Sequence, residues 1–160
     1  MKRRQVLQAG LSAAMLSIIP WQTQAADVRS RLLNSKLVYL SPIKADGSLS
    51  SCQAEIWYVM QGADLYVCTA TSSWRAQAPR KGLTETQFWV GDLGVWKRAD
   101  YRSLPEIKGI ASVETDDAKI ESALQLFGRK YASGWRTWGP RFRRGLKDGS
   151  RTMLKYQLAV

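Results

Sequence analysis

Two neighbouring segments, each apolar on both faces, place the strongest constraint on the fold of this chain. Residues 55–60 (EIWYVM) and 65–70 (LYVCTA) are rich in β-branched and aromatic side chains. They flank the turn signal Gln61-Gly62-Ala63-Asp64, so the pattern predicts a β-hairpin. A strand with one face in water alternates apolar and polar side chains, and these two strands do not. We therefore expect the hairpin to be central to a barrel or a covered sheet rather than at an edge.

Further segments have the composition or the alternation of β-strands, and these are residues 36–43, 87–90, 95–98, 110–113 and 152–158. The first should end in the turn at residues 44–47. The second and third should form a hairpin about Gly91-Asp92-Leu93-Gly94. The sequence thus predicts six or seven mostly antiparallel strands.

One long helix and one short helix complete the predicted fold. Thr115 is a good N-cap, and apolar residues recur at helical spacing through Ile120, Phe127 and Tyr131, so the long helix should end near Gly134. Residues 71–79 have room for a short helix capped by one of the serines at positions 72 and 73. The fold class is therefore α+β and β-rich, a barrel in a single domain of residues 27–160.

Residues 1–26 have the pattern of an export signal. Lys2-Arg3-Arg4 precedes an apolar stretch over residues 6–19, which is too short to span a bilayer, and small residues follow. Residues 3–7 (RRQVL) resemble the twin-arginine export motif, while an ordinary secretory signal and an uncleaved anchor are the alternatives. We expect the twin-arginine export machinery as a partner, cleavage near Ala25 and Ala26, a periplasmic location and no stable membrane anchor.

The two cysteines, Cys52 and Cys68, could pair in that oxidising compartment. The register of the predicted hairpin places Cys68 opposite Trp57, five residues from Cys52. At about 3.3 Å per residue this separation exceeds the reach of a disulfide, unless the strand bends. We expect two free thiols.

The chain has no histidine among its 160 residues, and this absence excludes several classes of chemistry. Ser-His-Asp and Cys-His nucleophile systems, histidine-ligated zinc, a proximal-histidine heme and a histidine general base all need an imidazole. No metal site is predicted. Any catalysis must depend on carboxylates, tyrosines, amines or a cofactor.

The positive charge of the chain is concentrated near its C-terminal end. Residues 27–128 contain twelve basic and twelve acidic side chains, whereas residues 129–155 contain nine basic side chains and only Asp148. Tyr131, Trp135, Trp138 and Phe142 are interleaved with these cations. Arginine beside flat rings suits a planar, anionic ligand, although a solvated basic face or a subunit contact is the alternative. The predicted location argues against nucleic acid.

A second candidate anion site follows the first hairpin. Residues 69–75 (TATSSWR) offer hydroxyls and backbone N–H groups at a predicted helix start, and Arg80 and Lys81 follow. Such hydroxyls can also serve only as helix caps.

Both segments resemble the flavin-binding split-barrel proteins related to pyridoxine-phosphate oxidase. That family has T-x-x-x-S-x-K after a hairpin, and Thr69, Ser73 and Arg75 have this spacing, with arginine replacing lysine. It also has W-x-x-R-x-x-R before the closing strand, matched by Trp138, Arg141 and Arg144. The family's phosphate-binding arginine has no counterpart, because Gln53 or Glu55 stands there, so one phosphate contact is missing or Arg80 or Lys81 replaces it. The family's substrate-binding histidine is also absent. Pyridoxine-phosphate oxidation itself is therefore not expected.

The resemblance implies a homodimeric split β-barrel with FMN as the cofactor, bound at the subunit interface, and a small flavin-dependent oxidoreductase. The predicted cofactor-binding residues are Thr69, Thr71, Ser73, Trp74, Arg75, Arg80, Lys81, Trp138, Arg141 and Arg144. Two alternatives stay open. One is a non-enzymatic module for flavin or another anionic aromatic ligand, and the other is a protein that binds anionic surfaces.

Overall fold

The computed structural model describes residues 21–159 of the chain, which form seven β-strands and four α-helices. The helices are α1 (Trp21–Asn34), α2 (Trp74–Gln77), α3 (Asp117–Lys130) and α4 (Ala132–Asp148). The strands are β1 (Val38–Pro42), β2 (Ala54–Ile56), β3 (Val59–Gln61), β4 (Asp64–Ala70), β5 (Glu85–Val90), β6 (Glu106–Val113) and β7 (Arg151–Leu158). Short 3-10 helices lie at Pro79–Lys81 and Tyr101–Ser103.

All seven strands belong to one antiparallel sheet, in the order β2-β1-β5-β6-β7-β4-β3. Its two edge strands, β2 and β3, are consecutive in the chain and are separated only by Trp57 and Tyr58. Two residues cannot span a flat seven-stranded sheet, because neighbouring strands are about 4.8 Å apart. The sheet therefore curls until its edges approach each other, which confirms the predicted α+β, β-rich barrel.

Apolar layers cover both faces of β4. Leu65 and Val67 join a cluster on the inner face of the curled sheet, to which α1 contributes Val28 and Leu32. Tyr66 and Cys68 point the other way, into a cluster with side chains of α3 and α4 such as Phe127 and Phe142. This double burial explains why the strand is apolar on both faces. As predicted, β4 is not an edge strand, because it pairs with β3 on one side and with β7 on the other.

The first strand of the predicted hairpin, residues 55–60, differs from expectation. Residues 55–60 do not form one interior strand, because the chain bends at Trp57 and Tyr58 and supplies both sheet edges. At the bend, the Tyr58 N–H donates to the Tyr131 hydroxyl at 2.9 Å, and not to a neighbouring strand. The apolar character of this segment thus reflects burial by the helices and not a central place in the sheet. The turn itself is as predicted, with Gln61 paired to Asp64.

The predicted hairpin at residues 87–90 and 95–98 is wrong. β5 pairs with β6, and residues 95–98 are a turn in the connection between these strands. Asp92 accepts hydrogen bonds from the backbone N–H groups of Lys36 and Leu37, at 2.8 and 2.7 Å, so the turn at 91–94 is held against the start of β1. Trp96 packs in a small cluster with Tyr39, Trp89 and Tyr101. Tertiary contacts of this loop therefore take the place of the expected hydrogen bonding between residues 87–90 and 95–98.

The helix count also exceeds the prediction of two. α3 begins with Asp116 as its N-cap, one residue later than expected, and the side chain accepts from Ala118 N–H and Lys119 N–H. The chain then turns at Tyr131 into α4, which the sequence did not predict. Three glycines and Pro140 disfavour a helix by themselves, so the local pattern did not indicate one. Two of these glycines allow α4 to pack closely on neighbouring side chains. A Cβ at Gly134 would lie 2.5 Å from Trp57, and one at Gly145 would lie 2.6 Å from Arg151.

The export signal falls mostly on residues 1–20, which lie outside the described residues. α1 begins at Trp21 and includes the predicted cleavage position, and its Val28 and Leu32 are buried in the core. Among the helices that the structure describes, none combines the length and the apolar character that a membrane span requires.

Candidate functional site

A cleft of about 390 Å³ opens where α2 and α4 meet the ends of β4 and β7. This volume is within the range of small-molecule sites, roughly 300–1,000 Å³. The lining residues combine two arginines with aromatic and aliphatic side chains, and they are Leu37, Glu55, Ile56, Trp57, Cys68, Thr69, Arg75, Trp138, Phe142 and Arg151.

Arg75, on α2, has an unsatisfied guanidinium at this cleft. Its Nη2 donates only a long hydrogen bond to Cys52 Sγ, at 3.6 Å. Its Nε is buried and has no hydrogen-bond partner within residues 21–159. A guanidinium carries five N–H donors, and an unpaired buried donor costs about 1–3 kcal/mol. A bound molecule could instead supply an acceptor for the Nη donors of Arg75, which would form charge-assisted hydrogen bonds.

Arg151 provides the second cation. Its Cζ lies 5.2 Å from the centroid of the Phe142 ring and 5.8 Å from that of Trp138, so the guanidinium rests against aromatic side chains. No carboxylate of the described chain forms a salt bridge with Arg75 or Arg151. The lining carboxylate Glu55 accepts from the Trp96 backbone N–H at 3.1 Å. The cleft therefore has an excess of positive charge.

The Cys68 thiol lies beside Arg151 but stays neutral. Burial raises the pKa of Cys68 to about 12, although the nearby Arg151 charge and hydrogen bond act to lower that pKa. Cys52, which contacts Arg75, is half-buried. Both cysteines are free, as predicted. Within the described chain, no group of three or more Cys, Asp or Glu side chains could hold a metal ion.

Two tryptophans form the aromatic wall of the cleft. Trp57 and Trp138 meet edge to face, with ring centroids 6.4 Å apart. Trp57 also stacks flat on Tyr131, at 4.2 Å and an interplanar angle of 5°, which fixes its orientation. Flat rings held by their neighbours can receive a planar ligand at small entropic cost.

Several of the predicted site residues come together here. Thr69, Arg75 and Trp138 line the cleft directly. The Ser73 hydroxyl is 3.3 Å from Thr69 Oγ1, and it donates to the Ala70 carbonyl at 2.7 Å. Arg141 Cζ lies 5.1 Å from the Trp138 ring centroid. The two separate sequence segments therefore meet at a single site.

Like Ser73 and Arg141, the other predicted residues do not line this cleft. The Thr71 hydroxyl donates to the Gly149 carbonyl at 2.7 Å, and Trp74 lies under the Lys81 ammonium at 5.1 Å. Arg80 and Lys81 are exposed on the short 3-10 helix. Arg144 is also exposed, because six residues along an α-helix turn it about 240° from Trp138.

Sequence reasoning did not include Arg151, Cys68 and Phe142 among the site residues. Arg151 reaches the cleft because β7 pairs with β4, with Ala70 opposite Arg151 and Thr69 opposite Thr152. Arg151 belonged to the noted basic segment, but no local pattern indicated which strand it would lie beside.

Comparison with known proteins gives similar folds but no close relative. No family model and no curated protein matches the chain. Among solved structures, HutZ, a heme storage protein from Vibrio cholerae, has a TM-score of 0.56 at 11% identity, covering 82% of this chain and 87% of that one. A putative pyridoxamine 5'-phosphate oxidase from Listeria innocua has a TM-score of 0.52 at 16% identity, covering 84% and 93%.

A third structure, a heme binding protein from Mycobacterium smegmatis, has a TM-score of 0.56 at 10% identity, and it covers 82% of this chain and 50% of that protein. At such low identities the likeness is one of fold alone. It confirms that the chain has the split-barrel fold.

Proposed function

We propose that the cleft binds a flat, anionic aromatic cofactor and that this cofactor is FMN. The observation that carries the proposal is the Arg75 guanidinium, whose Nε is buried without a partner, in a cleft that Arg151 and two tryptophans also line. A phosphate would satisfy the donors of Arg75, because guanidinium and phosphate pair through short, charge-assisted hydrogen bonds. The aromatic wall suits the ring system of a flavin.

Each of these residues has a defined task in the proposal. Arg75 and the Thr69 hydroxyl would hold the phosphate, with Ser73 beside Thr69 as a positioning residue, while Trp57 and Trp138 would contact the rings and exclude water. Arg151 would place positive charge beside the ligand, which favours an anionic form. Bound FMN supplies the redox chemistry, for which protein side chains offer no hydride or electron carrier of this kind.

We further propose that the protein is a small oxidoreductase, exported to the periplasm and active as a homodimer. The export rests on the sequence of residues 1–26, and the dimer rests on the family resemblance. Redox turnover with a nicotinamide or a quinone would separate an oxidoreductase from a protein that only binds flavin.

The test begins with the full chain purified from a host that makes both flavins and heme. We expect a flavin absorbance spectrum and the mass of FMN in the material released on denaturation. Flavin-free protein should bind FMN more tightly than riboflavin, which lacks the phosphate. A colourless protein with no affinity for FMN would exclude the proposal.

Variants then test the role of Arg75. Arg75→Ala should weaken FMN binding by about 10- to 100-fold, because hydrogen bonds to a charged group contribute about 1.5–3 kcal/mol. It should also abolish the preference for FMN over riboflavin. Arg80→Ala is the matched control, since Arg80 lies five residues away, is exposed and does not line the cleft. Equal losses in the two variants would count against the cleft.

Heme is the second candidate ligand. Two structures of similar fold are described as a heme storage protein and a heme binding protein. The carboxylates of heme could pair with Arg75 and Arg151. Release of heme in place of FMN from the purified protein would select this candidate.

A further inference from the structure

A second hollow surface lies between α1, β3 and α3 and shares no lining residue with the cofactor cleft. It consists of two adjoining hollows of about 320 and 340 Å³, which have Leu32, Leu33 and Met60 in common. One hollow continues along β3 to Gly62 and Leu158, and the other continues to Leu126 and Lys130 on α3. We call the pair the α1–α3 groove.

The groove is apolar along its centre and exposed to solvent. Leu33 has 69% of its surface exposed, the largest fraction among the exposed apolar side chains of the described chain. The neighbouring Leu32 is buried, so α1 uses Leu32 for the core and presents Leu33 at the groove. A single exposed leucine needs no explanation, but one within a continuous apolar depression marks a ligand or partner site.

The charges that line the groove all have the same sign. Arg29, Arg129 and Lys130 line it, and no carboxylate does. None of these three cations forms a salt bridge within the described chain. The groove therefore combines an apolar path with three cations that form no salt bridge in the described chain.

Lys130 is a half-buried cation of the groove that forms no salt bridge among the described residues. Its Nζ lies 3.5 Å from the centroid of the Tyr58 ring and 5.6 Å from that of Tyr131. Burial lowers the pKa of Lys130 to about 8, while the charge of Asp92 opposes that shift. An anionic group beside Nζ would offset the cost of this half-buried charge.

We infer that the α1–α3 groove binds a single-chain anionic amphiphile, such as a long-chain carboxylate. Its head group would pair with Arg129 and Lys130, and its alkyl chain would cover Leu33 and Met60 in the direction of Leu158. Charge complementarity selects an anion, and the continuous apolar lining selects a long alkyl tail. The site is independent of the proposed flavin function.

The experiment uses the full chain and dodecanoate below its micelle concentration, with binding measured by titration calorimetry. Dodecanoate should bind with one-to-one stoichiometry, dodecanol at least tenfold more weakly, and dodecyltrimethylammonium not at all. Absence of dodecanoate binding would overturn the inference. Binding only to phosphatidylcholine–phosphatidylglycerol vesicles would also overturn it, because this outcome indicates adsorption to a surface and not a groove.

Two matched pairs of variants locate the ligand. Leu33→Asp should reduce dodecanoate affinity at least tenfold, whereas Leu93→Asp changes an exposed leucine outside the groove and should have no effect. Arg129→Gln should weaken binding, while Arg136→Gln, at an exposed arginine of α4 outside the groove, should not. Equal effects within either pair would contradict the proposed location.

FMN binding is measured in the same four variants. It should remain unchanged in Leu33→Asp and Arg129→Gln, which also shows that these variants fold. A failure of the groove is thereby distinguished from a failure of the cofactor cleft.

Discussion

Single side chains carry much of the unusual electrostatics of this protein. Lys130 is a half-buried cation without a salt bridge in the described chain, held over the Tyr58 ring. Burial lowers the pKa of Lys130 from 10.5 to about 8, so the folded protein releases this proton more readily than the unfolded chain. Charged Lys130 thus costs stability at neutral pH.

The lowered pKa of Lys130 makes the stability of the protein depend on pH in the alkaline range. Between about pH 8 and 10 the unfolded chain keeps the Lys130 proton that the folded protein loses, so Lys130 should contribute a rise in the free energy of unfolding. From about pH 9 the raised pKa of the buried Cys68 thiol contributes a fall, so the Lys130 contribution is measured as the difference between wild type and a Lys130 variant. After discounting for solvent screening we expect a rise of less than about 2 kcal/mol. Urea unfolding across this pH range measures it.

The Lys130→Met profile should lack this contribution and diverge from that of wild type, whereas Lys119→Met, at an exposed site on the same helix, should follow wild type. Parallel profiles for wild type and Lys130→Met would contradict the assignment. Above pH 10 the free energy should fall in every variant, because burial and the Glu114 carboxylate raise the pKa of Tyr66 to about 12, and the unfolded chain loses this proton first.

Among the elements, α4 shapes the cleft most directly. It presents Trp138 and Phe142 to the cleft, and its glycines let the helix approach Trp57 and Arg151 closely. In an ordinary helix interior, alanine is more stable than glycine by about 1 kcal/mol. At Gly134 and Gly145 the close contacts with Trp57 and Arg151 outweigh that preference for alanine.

Gly134→Ala should therefore destabilise the protein, by about 1–3 kcal/mol. The new Cβ would lie 2.5 Å from the Trp57 ring, which would have to leave its stack on Tyr131. Thermal unfolding and near-UV circular dichroism would report the loss of stability and the displaced ring. Ser133→Ala, at the adjacent exposed position, is the control and should be neutral or slightly stabilising. A Gly134→Ala protein as stable as wild type would show that Trp57 can move freely.

At the scale of the whole molecule, the closure of the curled sheet depends on Tyr131. Its hydroxyl accepts from Tyr58 N–H and lies 2.8 Å from the carbonyl oxygens of both Lys36 and Tyr58. It thereby joins the bend between β2 and β3 to the start of β1. Both sheet edges and the Trp57 wall of the cleft meet at this point.

Tyr131→Phe should destabilise the protein by about 1–3 kcal/mol, because it leaves buried backbone groups without partners. Tyr101→Phe is the control. It removes a side-chain hydrogen bond to Gln53 and leaves the backbone of the bend intact, so its cost should be smaller. Chemical denaturation of both variants measures the difference. A smaller loss for Tyr131→Phe than for Tyr101→Phe would contradict this account of the closure.

Local sequence patterns were sufficient for much of the fold. The Gln61–Asp64 turn, β1, β7 and α3 were all predicted, because each depends on residues within a few positions of one another. The split-barrel class was predicted from the family resemblance instead. α4 was missed, since its glycines are helix-disfavouring by themselves and useful only against Trp57 and Arg151. The hairpin expected at residues 95–98 failed for the same reason, as tertiary contacts of Asp92 and Trp96 decide that loop.

The sequence by itself determined the strand-forming segments, the concentration of cations after residue 128 and the absence of imidazole chemistry. The tertiary structure alone decided that residues 55–60 supply both sheet edges and that Arg151, rather than Arg80 or Lys81, joins Arg75 in the cleft. The physical reason is the range of the interactions. Turns, caps and periodicity are set by near neighbours, whereas the pairing of Ala70 with Arg151 closes a long stretch of chain that no local pattern specifies.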